Sequence, residues 1–479
     1  MRDKQTLFDY VYQDLRGQIV SGRLSFGDKL PSMRSLCDLY NVGLRTIKDV
    51  LWVLKEEAFI RTEERKAAIV IYRQSEDGSA VRSVLERRTT ILLVYQTIAV
   101  LMPPFLAFSA QFCEEGELKQ FNERMKKQNA AVPERSFISG LYWILDHSNN
   151  HLFRELFSSL GIYARMPFFG KDQRFVELAA EHRDFLSVSW MMESLIAKDT
   201  DQIVERFGNM FRSITDMVSL YLEEMSVGRE DAEERDQVYT WKAERGRDYY
   251  YTQITRDLID KIGTGVYQEG TFLPSEAELS KEYGVCVSTV RSAVAMLNEL
   301  GFGRTLNARG TIATLQSDQS VSQILKRKVY RKDIMLYLSG LQLMAIAVRP
   351  AALLVFDLIG EKEIQELEEQ IKEPETIPLD RMVQCVIDHQ TLQPLQAILQ
   401  EVKGKLYWGY YFSFYNEGAL SGDLLTQKSM AAFERLRQGD GDGFADALAE
   451  CYCHILDFVR AYMVDFGLAE AEKLVSPCS

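Results

Sequence analysis

The chain has few cysteines, few histidines and no excess of positive charge. Its seven Cys lie among 479 residues without pairwise spacing, so we expect reduced thiols and not the disulfide framework of a secreted protein. The charged N-terminal segment lacks the pattern of a signal peptide, which favours a cytoplasmic location. A formal net charge of −13 argues against a general affinity for nucleic acid, so any DNA binding has to come from local basic patches.

Motifs of catalysis are also missing from the sequence. It contains no Gly-x-Ser-x-Gly elbow, no phosphate-binding loop and no His-Glu-x-x-His motif. The run Gly439-Asp440-Gly441-Asp442-Gly443 is similar to the start of a calcium loop, but Phe444 stands where an oxygen ligand is needed. Asp442 is better interpreted as the cap of the next helix. We therefore predict that the protein is not an enzyme.

One apolar run is long enough to span a membrane. Residues 89–113 carry no charge, but Pro103 and Pro104 interrupt them. The corresponding run in the second half of the chain, residues 341–356, contains Arg349 at the same place. Both observations favour a buried helix of a helical domain, and no membrane partner is predicted.

A long repeat is present in place of these motifs. The stretch from Asp14 to Ile69 recurs, without an insertion, from Asp257 to Ile312. The shared positions include Gly22/Gly265, Gly27/Gly270, Leu30-Pro31-Ser32/Leu273-Pro274-Ser275, Leu36/Leu279, Leu54/Leu297, Phe59/Phe302 and Arg61-Thr62/Arg304-Thr305. Such regular spacing indicates duplicated structure.

Each copy of the repeat predicts three helices followed by a β-hairpin. Val11, Leu15 and Ile19 recur at helical spacing in the first helix. Ser32 and Ser275 are expected N-caps of the second helix, and Ser275 forms a capping box with Glu278. A tight turn leads to a third helix at about 45–57 or 288–300, and two short extended runs follow it. A helix-turn-helix followed by a hairpin is a winged helix.

The motifs of both copies follow one family pattern. The second copy has Leu273-Pro274-Ser275-Glu276, Gly284-Val285, Ser288-Thr289-Val290-Arg291, Ala293, Leu297, Gly301-Phe302 and Arg309-Gly310-Thr311. The first copy keeps Leu30-Pro31-Ser32, Arg34, Val42, Thr46, Lys48 and Leu51. These residues resemble the DNA-binding domain of GntR-family bacterial regulators. Each copy lacks something: the first wing reads Arg65-Lys66-Ala67-Ala68 where the family has Gly-x-Gly-Thr, and the second copy has Ala277 where the family has Arg.

The resemblance implies a set of DNA-binding residues. Those of the first copy are Ser32, Arg34, Arg45, Thr46, Lys48 and Lys66. Those of the second copy are Ser275, Ser288, Thr289, Arg291, Arg309, Gly310 and Thr311. For the charged residues the alternative is an ordinary solvated surface charge. The shared apolar residues, among them Leu54 and Leu297, are expected in the core.

The regions after each winged helix are predicted to be helical nearly throughout. They repeat each other, since Met102-Pro103-Pro104 corresponds to Val348-Arg349-Pro350 and Asp199-Thr200-Asp201 to Asp440-Gly441-Asp442. They resemble the all-helical FCD effector domains that follow GntR-type readers, through Ala347–Leu353, Ala197-Lys198-Asp199 and Gln438-Gly439-Asp440.

Five segments follow from this comparison, because a chain of 479 residues is too long for one hydrophobic core. The predicted segments are a winged helix at 1–73, a helical domain at 84–228, a charged linker at 229–247, a second winged helix at 248–316 and a second helical domain at 325–470. The fold class is therefore mainly α, with small β-wings.

The same resemblance places metal ligands in the helical domains. The corresponding residues are Asn149, Phe153, Val188 and Met210 in the first and Thr391, Leu395, Ser429 and Cys451 in the second. Neutral and apolar side chains do not supply the ligands that such a site needs, so we predict no metal of the family type and no cofactor.

Two other groups of residues could bind a ligand. His147, His151 and His182 are an alternative metal cluster, although surface histidines beside Asp146 and Glu181 are commoner. Cys451 and Cys453 precede His454, but residues two apart on a helix point to different faces, which favours buried thiols. The aromatic run Tyr407–Phe414 fits either a ligand cavity or core packing.

Two hypotheses for the function remain. The first is a ligand-responsive, sequence-specific transcription regulator whose two winged helices act as a pseudo-dimer on an operator with an imperfect inverted repeat. Its partners are double-stranded DNA and a small-molecule effector, and it acts as a monomer or a homodimer. The alternative is a ligand-binding or scaffold protein whose winged helices mediate protein contacts, which the altered first wing and the acidic balance favour.

Overall fold

The computed structural model describes most of the chain. The described residues are 7–20, 24, 26–40, 42–62, 67–72, 79–127, 133–164, 166, 173–174, 177–178, 188–227, 238–243, 250–263, 265–307, 309–314, 328–373, 376–406 and 420–478. They form two compact units, one of Met1–Tyr142, Glu155–Arg247 and Leu392–Pro394, the other of Trp143–Arg154, Asp248–Thr391 and Leu395–Ser479. Each unit contains one copy of the winged helix.

Winged domain 1 (residues 7–72) has the predicted order of elements. Its elements are α1 (Leu7–Val20), α2 (Met33–Tyr40), α3 (Leu44–Glu56), β1 (Ile60–Arg61) and β2 (Ile69–Val70). The two strands are antiparallel, with Ile60 opposite Val70. Leu15, Ile47 and Leu54 are almost fully buried between the helices, because apolar residues recur on one face of each helix.

Helical region 1 (residues 79–227) follows. Its described helices are α4 (Ser79–Leu85), α5 (Arg88–Ala110), α6 (Glu115–Lys127), α7 (Pro133–Asp146), α8 (His151–Ala164), α9 (Val188–Ala197) and α10 (Thr200–Ser226). Helices α5 and α10 pack along each other. Asp199 caps α10, since its carboxylate accepts a hydrogen bond from Gln202 N at 3.0 Å.

The segment after helical region 1 carries two buried aromatic side chains. Residues 238–243 belong to the predicted charged linker, but Tyr239 is fully buried and Trp241 is 4% exposed. The hydroxyl of Tyr239 donates to Ser159 Oγ at 3.2 Å. Gln393 holds the backbone of Tyr239, accepting from its N–H at 3.2 Å and donating to its carbonyl at 3.1 Å. This part of the linker is therefore packed into the first unit.

Winged domain 2 (residues 250–314) repeats the first. Its elements are α11 (Tyr250–Gly263), α12 (Glu276–Glu282), α13 (Val287–Glu299), β3 (Gly303–Leu306) and β4 (Gly310–Ala313). The strands are antiparallel, and their register runs from Gly303 opposite Ala313 to Leu306 opposite Gly310. The predicted fold class, duplicated winged helices with helical regions, is confirmed.

Helical region 2 (residues 328–478) contains α14 (Lys328–Val355), α15 (Glu361–Lys372), α16 (Pro378–Asp388), α17 (Gln393–Leu406), α18 (Leu420–Arg437) and α19 (Gly441–Asp465). Short 3-10 turns lie at Phe356–Leu358 and Ala469–Lys473. Helix α19 packs against α14 and α18. Two of the described helices, α5 and the one spanning Arg331–Leu358, are long and apolar enough to cross a membrane, but 56% and 61% of their most apolar windows are buried, as a core helix requires.

Two predictions for this region are wrong. Asp440 caps α19, accepting from Gly443 N at 2.9 Å, whereas Asp442 forms an ion pair with Arg349 at 3.2 Å. The Cys residues are not all reduced, because Cys453 and Cys478 form a disulfide. Their Cα atoms are 6.0 Å apart, since the chain after α19 turns back to pack beside it.

Candidate nucleic-acid interface

The position of helix α12 is fixed by the predicted capping box. Ser275 Oγ accepts from Glu278 N at 3.3 Å, and the Glu278 carboxylate accepts from Ser275 N at 2.8 Å and from Ser275 Oγ at 2.7 Å. Hydrogen bonds from Ser275 hold the pKa of Glu278 below its ordinary value. In winged domain 1, Ser32 is exposed and immediately precedes α2, and Arg34 is exposed on α2. Both serines therefore mark the start of the helix that supports the third helix.

The third helices, α3 and α13, each have one buried face and one exposed face. On α3 the buried residues are Ile47, Val50, Leu51 and Leu54, and on α13 they are Val290, Ala293, Val294, Met296 and Leu297. The exposed face of α3 presents Arg45 and Lys48, and Thr46 is half-buried. The exposed face of α13 presents Ser288 and Arg291, and Thr289 is half-buried. The packing of the apolar face therefore decides which side chains reach solvent.

Arg291 is held in place by a carboxylate of the preceding helix. Its Nε and Nη2 donate to Glu276 Oε2 at 3.2 and 2.9 Å, and its side chain is 68% exposed. Such an exposed pair contributes about 0–1 kcal/mol, so a competing anion can displace it at little cost. The guanidinium carries five N–H donors in a fixed fork, which suits guanine or phosphate oxygens.

The second wing brings its predicted residues to one hairpin. Gly310 is exposed with a φ of 114°, and a Cβ there would lie 3.4 Å from the ring of Phe272. Arg309 is exposed beside it. Thr311 is only 8% exposed, and its hydroxyl lies 2.8 Å from that of Thr305. Backbone at Gly310 and the charge of Arg309 are therefore on the surface, and the Thr311 side chain is on the inner side. Lys66, in the first wing, lies outside the described residues.

Sequence reasoning missed three side chains beside this interface. Glu276 orients Arg291, as described above. Trp52 lies on α3, at helical spacing from Arg45 and Lys48, and is 61% exposed. Cys286 precedes α13 and is exposed, and hydrogen bonds from Ser288 and Thr289 lower the pKa of its thiol to about 7. Helical spacing could have identified Trp52. The partners of Glu276 and Cys286 depend on the turn between α12 and α13, which the sequence pattern does not specify.

The residues at the family's metal positions do not fit a metal. In helical region 2, Ser429 and Cys451 are fully buried with Oγ and Sγ 3.8 Å apart. Ser429 Oγ donates to Leu425 O at 2.7 Å, and burial raises the pKa of Cys451 to about 11. A neutral thiol beside an engaged hydroxyl is a poor ligand. Leu395 and Phe153 are buried and apolar.

The other proposed ligands are engaged or outside the described part of the chain. Cys453 is oxidised, so it cannot act with His454 as a metal ligand. His147 Nδ1 lies 2.8 Å from Trp143 O, and His151 is exposed at the start of α8. His182 and the aromatic run 407–414 lie outside the described residues.

Comparisons with known proteins agree with this geometry. The family described as "Bacterial regulatory proteins, gntR family" matches residues 7–70 and 250–312, which are the two winged domains. The chain is 23% identical over 202 residues to "Uncharacterized HTH-type transcriptional regulator YieP" of Escherichia coli (strain K12), a match that covers 40% of this chain and 86% of that protein.

Two solved structures also match part of the chain, with low sequence identity and low TM-scores. Streptococcus agalactiae GntR is 18% identical, covering 43% of this chain and 99% of its own, with a TM-score of 0.21. E. coli McbR/YncC is 16% identical, covering 45% and 98%, with a TM-score of 0.20.

Proposed function

The chain belongs to the GntR family of helix-turn-helix regulators, and we propose that its two winged domains bind the two halves of one operator in double-stranded DNA. The observation that carries the proposal is the presence of two such domains in one polypeptide, each exposing basic residues on its third helix. Ordinary helix-turn-helix dimers obtain their second DNA-binding domain from a second chain. Here one chain supplies both, as a monomeric pseudo-dimer.

Winged domain 2 supports this proposal most directly. In helix-turn-helix proteins the third helix enters the major groove by its N-terminal residues. Ser288 and Arg291 lie on the first two turns of α13 and are exposed. Arg309 and Gly310 place a charge and an accessible backbone on the wing, where both can meet phosphates. We propose that Arg291 leaves Glu276 to contact a base edge or a phosphate.

Winged domain 1 presents a different set of side chains. Arg45 and Lys48 are exposed where domain 2 has Ser288 and Arg291, and Trp52 follows them on the same helix. Different donors select different bases, so we propose that the two half-sites differ and form an imperfect inverted repeat. Trp52 also favours a second candidate function, in which domain 1 contacts another protein, because exposed Trp is enriched in protein interfaces.

The helical regions are proposed to be effector domains that respond to a small molecule, as the resemblance implies. We propose the boundaries 1–73, 84–228, 229–247, 248–316 and 325–470 for the five segments, a cytoplasmic location and no catalytic role. The acidic balance of the chain, with a net charge of −13, keeps affinity for random DNA low, so that binding depends on the basic residues of the winged domains.

An operator enriched from random DNA tests the proposal. The purified full chain should bind it with an affinity that falls steeply between low and physiological salt, because phosphate contacts release counterions. Arg291→Ala should weaken binding by about 1–3 kcal/mol, or roughly 5- to 150-fold.

Lys362→Ala is the matched control, since Lys362 is an exposed cation on α15, outside both winged domains. Equal affinities of the two variants would show that α13 is not a reading helix. Binding that is insensitive to salt would favour the protein-contact candidate.

A further inference from the structure

The disulfide between Cys453 and Cys478 joins a buried residue to an exposed one. Cys453 lies on α19 and is 4% exposed, whereas Cys478 is exposed in the segment that follows the last 3-10 turn. The other five Cys, at positions 37, 113, 286, 385 and 451, are free. The pairing is therefore specific to these two positions.

The disulfide fastens residues 474–478 to helix α19, and these residues also pack against the rest of the second unit. In residues 474–478, Leu474 and Ser476 are buried. The carbonyl of Val475 accepts from Gln342 Nε2 at 2.7 Å, and Gln342 is fully buried on α14. The Oε1 atom of the same amide accepts from Asn150 Nδ2 at 2.9 Å. The segment thus supplies a hydrogen-bond acceptor to a buried glutamine.

We propose that Cys453 and Cys478 form a reversible thiol–disulfide exchange site for low-molecular-weight thiols and disulfides, and that its oxidation state controls the docking of residues 474–478. Disulfides in reducing compartments are usually transient or redox-sensing, so the cytoplasmic location proposed above implies a reversible bond. Because Cys478 is the exposed residue of the pair and Cys453 the buried one, the exchange starts at Cys478.

The thiol–disulfide exchange needs no reactant other than the small-molecule disulfide or thiol. In oxidation, the Cys478 thiolate attacks a small-molecule disulfide and expels one thiol. The Cys453 thiolate then attacks the mixed disulfide at Cys478 Sγ and expels the second thiol. Two electrons pass from the cysteine pair to the reagent, which leaves as two thiols. In reduction a small thiolate attacks Cys478 Sγ, and Cys453 leaves as a thiolate that takes up a proton. A second small thiolate then attacks the small-molecule sulfur of this mixed disulfide and releases the Cys478 thiolate, so that the two small thiols leave as one disulfide.

The redox state of the pair is measured directly on the folded full chain. The protein is equilibrated in buffers with increasing ratios of reduced to oxidised glutathione, quenched in acid and alkylated, and the peptides of Cys453 and Cys478 are quantified by mass spectrometry. We expect the pair to pass reversibly from disulfide to dithiol within this series. A pair that stays disulfide-bonded at the most reducing ratio, or reduced at the most oxidising one, contradicts the proposal.

Hydrogen exchange tests the docking. Reduction of the native chain should speed exchange of residues 474–478 and of the Gln342 region severalfold, while winged domain 2 is unchanged. Cys478→Ser should show the fast exchange in both buffers, and this substitution at an exposed position leaves the core intact. Cys385→Ser, which removes a free thiol of the same unit, should keep the redox dependence. Exchange that is the same in oxidised and reduced wild type overturns the docking role. None of these measurements uses DNA, so their failure leaves the proposed function standing.

Discussion

Ala58 and Gly301 occupy equivalent turns after α3 and α13, and both have left-handed backbones, with φ of 59° and 81°. In both turns the next amide bonds back to the helix: Phe59 N donates to Leu54 O at 2.9 Å and Phe302 N to Leu297 O at 3.1 Å. This conformation costs a residue with a Cβ roughly 1–2 kcal/mol and costs glycine almost nothing. Winged domain 1 therefore carries a strain that winged domain 2 avoids.

Replacing the strained residue should stabilise winged domain 1. Ala58→Gly removes the steric cost, and the greater freedom of glycine in the unfolded chain offsets about 0.5–1 kcal/mol of the gain. Ala58 is exposed, so the change removes no core packing. We expect a net gain of about 0.5–1 kcal/mol, and Gly301→Ala should cost winged domain 2 a similar amount.

Hydrogen exchange of the full chain measures each domain separately. The amides of α3 should exchange roughly 2- to 5-fold more slowly in Ala58→Gly, and those of α13 faster by a similar factor in Gly301→Ala. Ala295→Gly is the control, because Ala295 is exposed on α13 and its substitution should destabilise that helix by about 1 kcal/mol. If Ala58→Gly accelerates exchange as this control does, the argument from backbone strain is wrong.

Three further outcomes are expected. Asp199→Ala and Asp440→Ala should each destabilise the helix they cap by about 1 kcal/mol, seen as faster exchange in the first turns of α10 and α19. Alkylation of Cys286 should accelerate as pH rises through about 7, because the thiolate is the reacting form, and operator DNA should slow it. Cys385, whose pKa burial raises to about 11, is the slow control, and equal rates at pH 7 would contradict the assignment. Selection from random DNA should return an imperfect inverted repeat, whereas a perfect palindrome would show that two chains each contribute the same domain.

The winged domains could be predicted from the sequence because their signals are local. The capping box at Ser275 and Glu278 involves residues three apart, and helical spacing places Ile47 and Leu54 on one face. The wing follows from two short extended runs. Each of these signals lies within a few residues of the structure that it specifies, so no knowledge of distant contacts is required.

Features that depend on distant contacts could not be predicted in the same way. The disulfide requires that the segment after α19 return beside that helix, and a separation of 25 residues does not specify that path. The burial of Tyr239 depends on Ser159 and Gln393, which are far away in sequence. The N-cap of α19 is a local feature, but the sequence offers two candidates for it, Asp440 and Asp442. Asp440 caps the helix because Gly439, with a φ of 76°, ends the preceding turn directly before it.

Duplication within one chain changes what each winged domain has to preserve. In a symmetric dimer every substitution alters both half-sites at once, whereas here α3 and α13 can change independently. The buried positions of the two helices have kept their character, as Leu54 and Leu297 show. Differences concentrate on the exposed face, where Trp52 corresponds to Ala295 and Arg45 to Ser288. Because the packing face is retained and the exposed face has diverged, the two domains keep the same fold and present different chemistry to their partners.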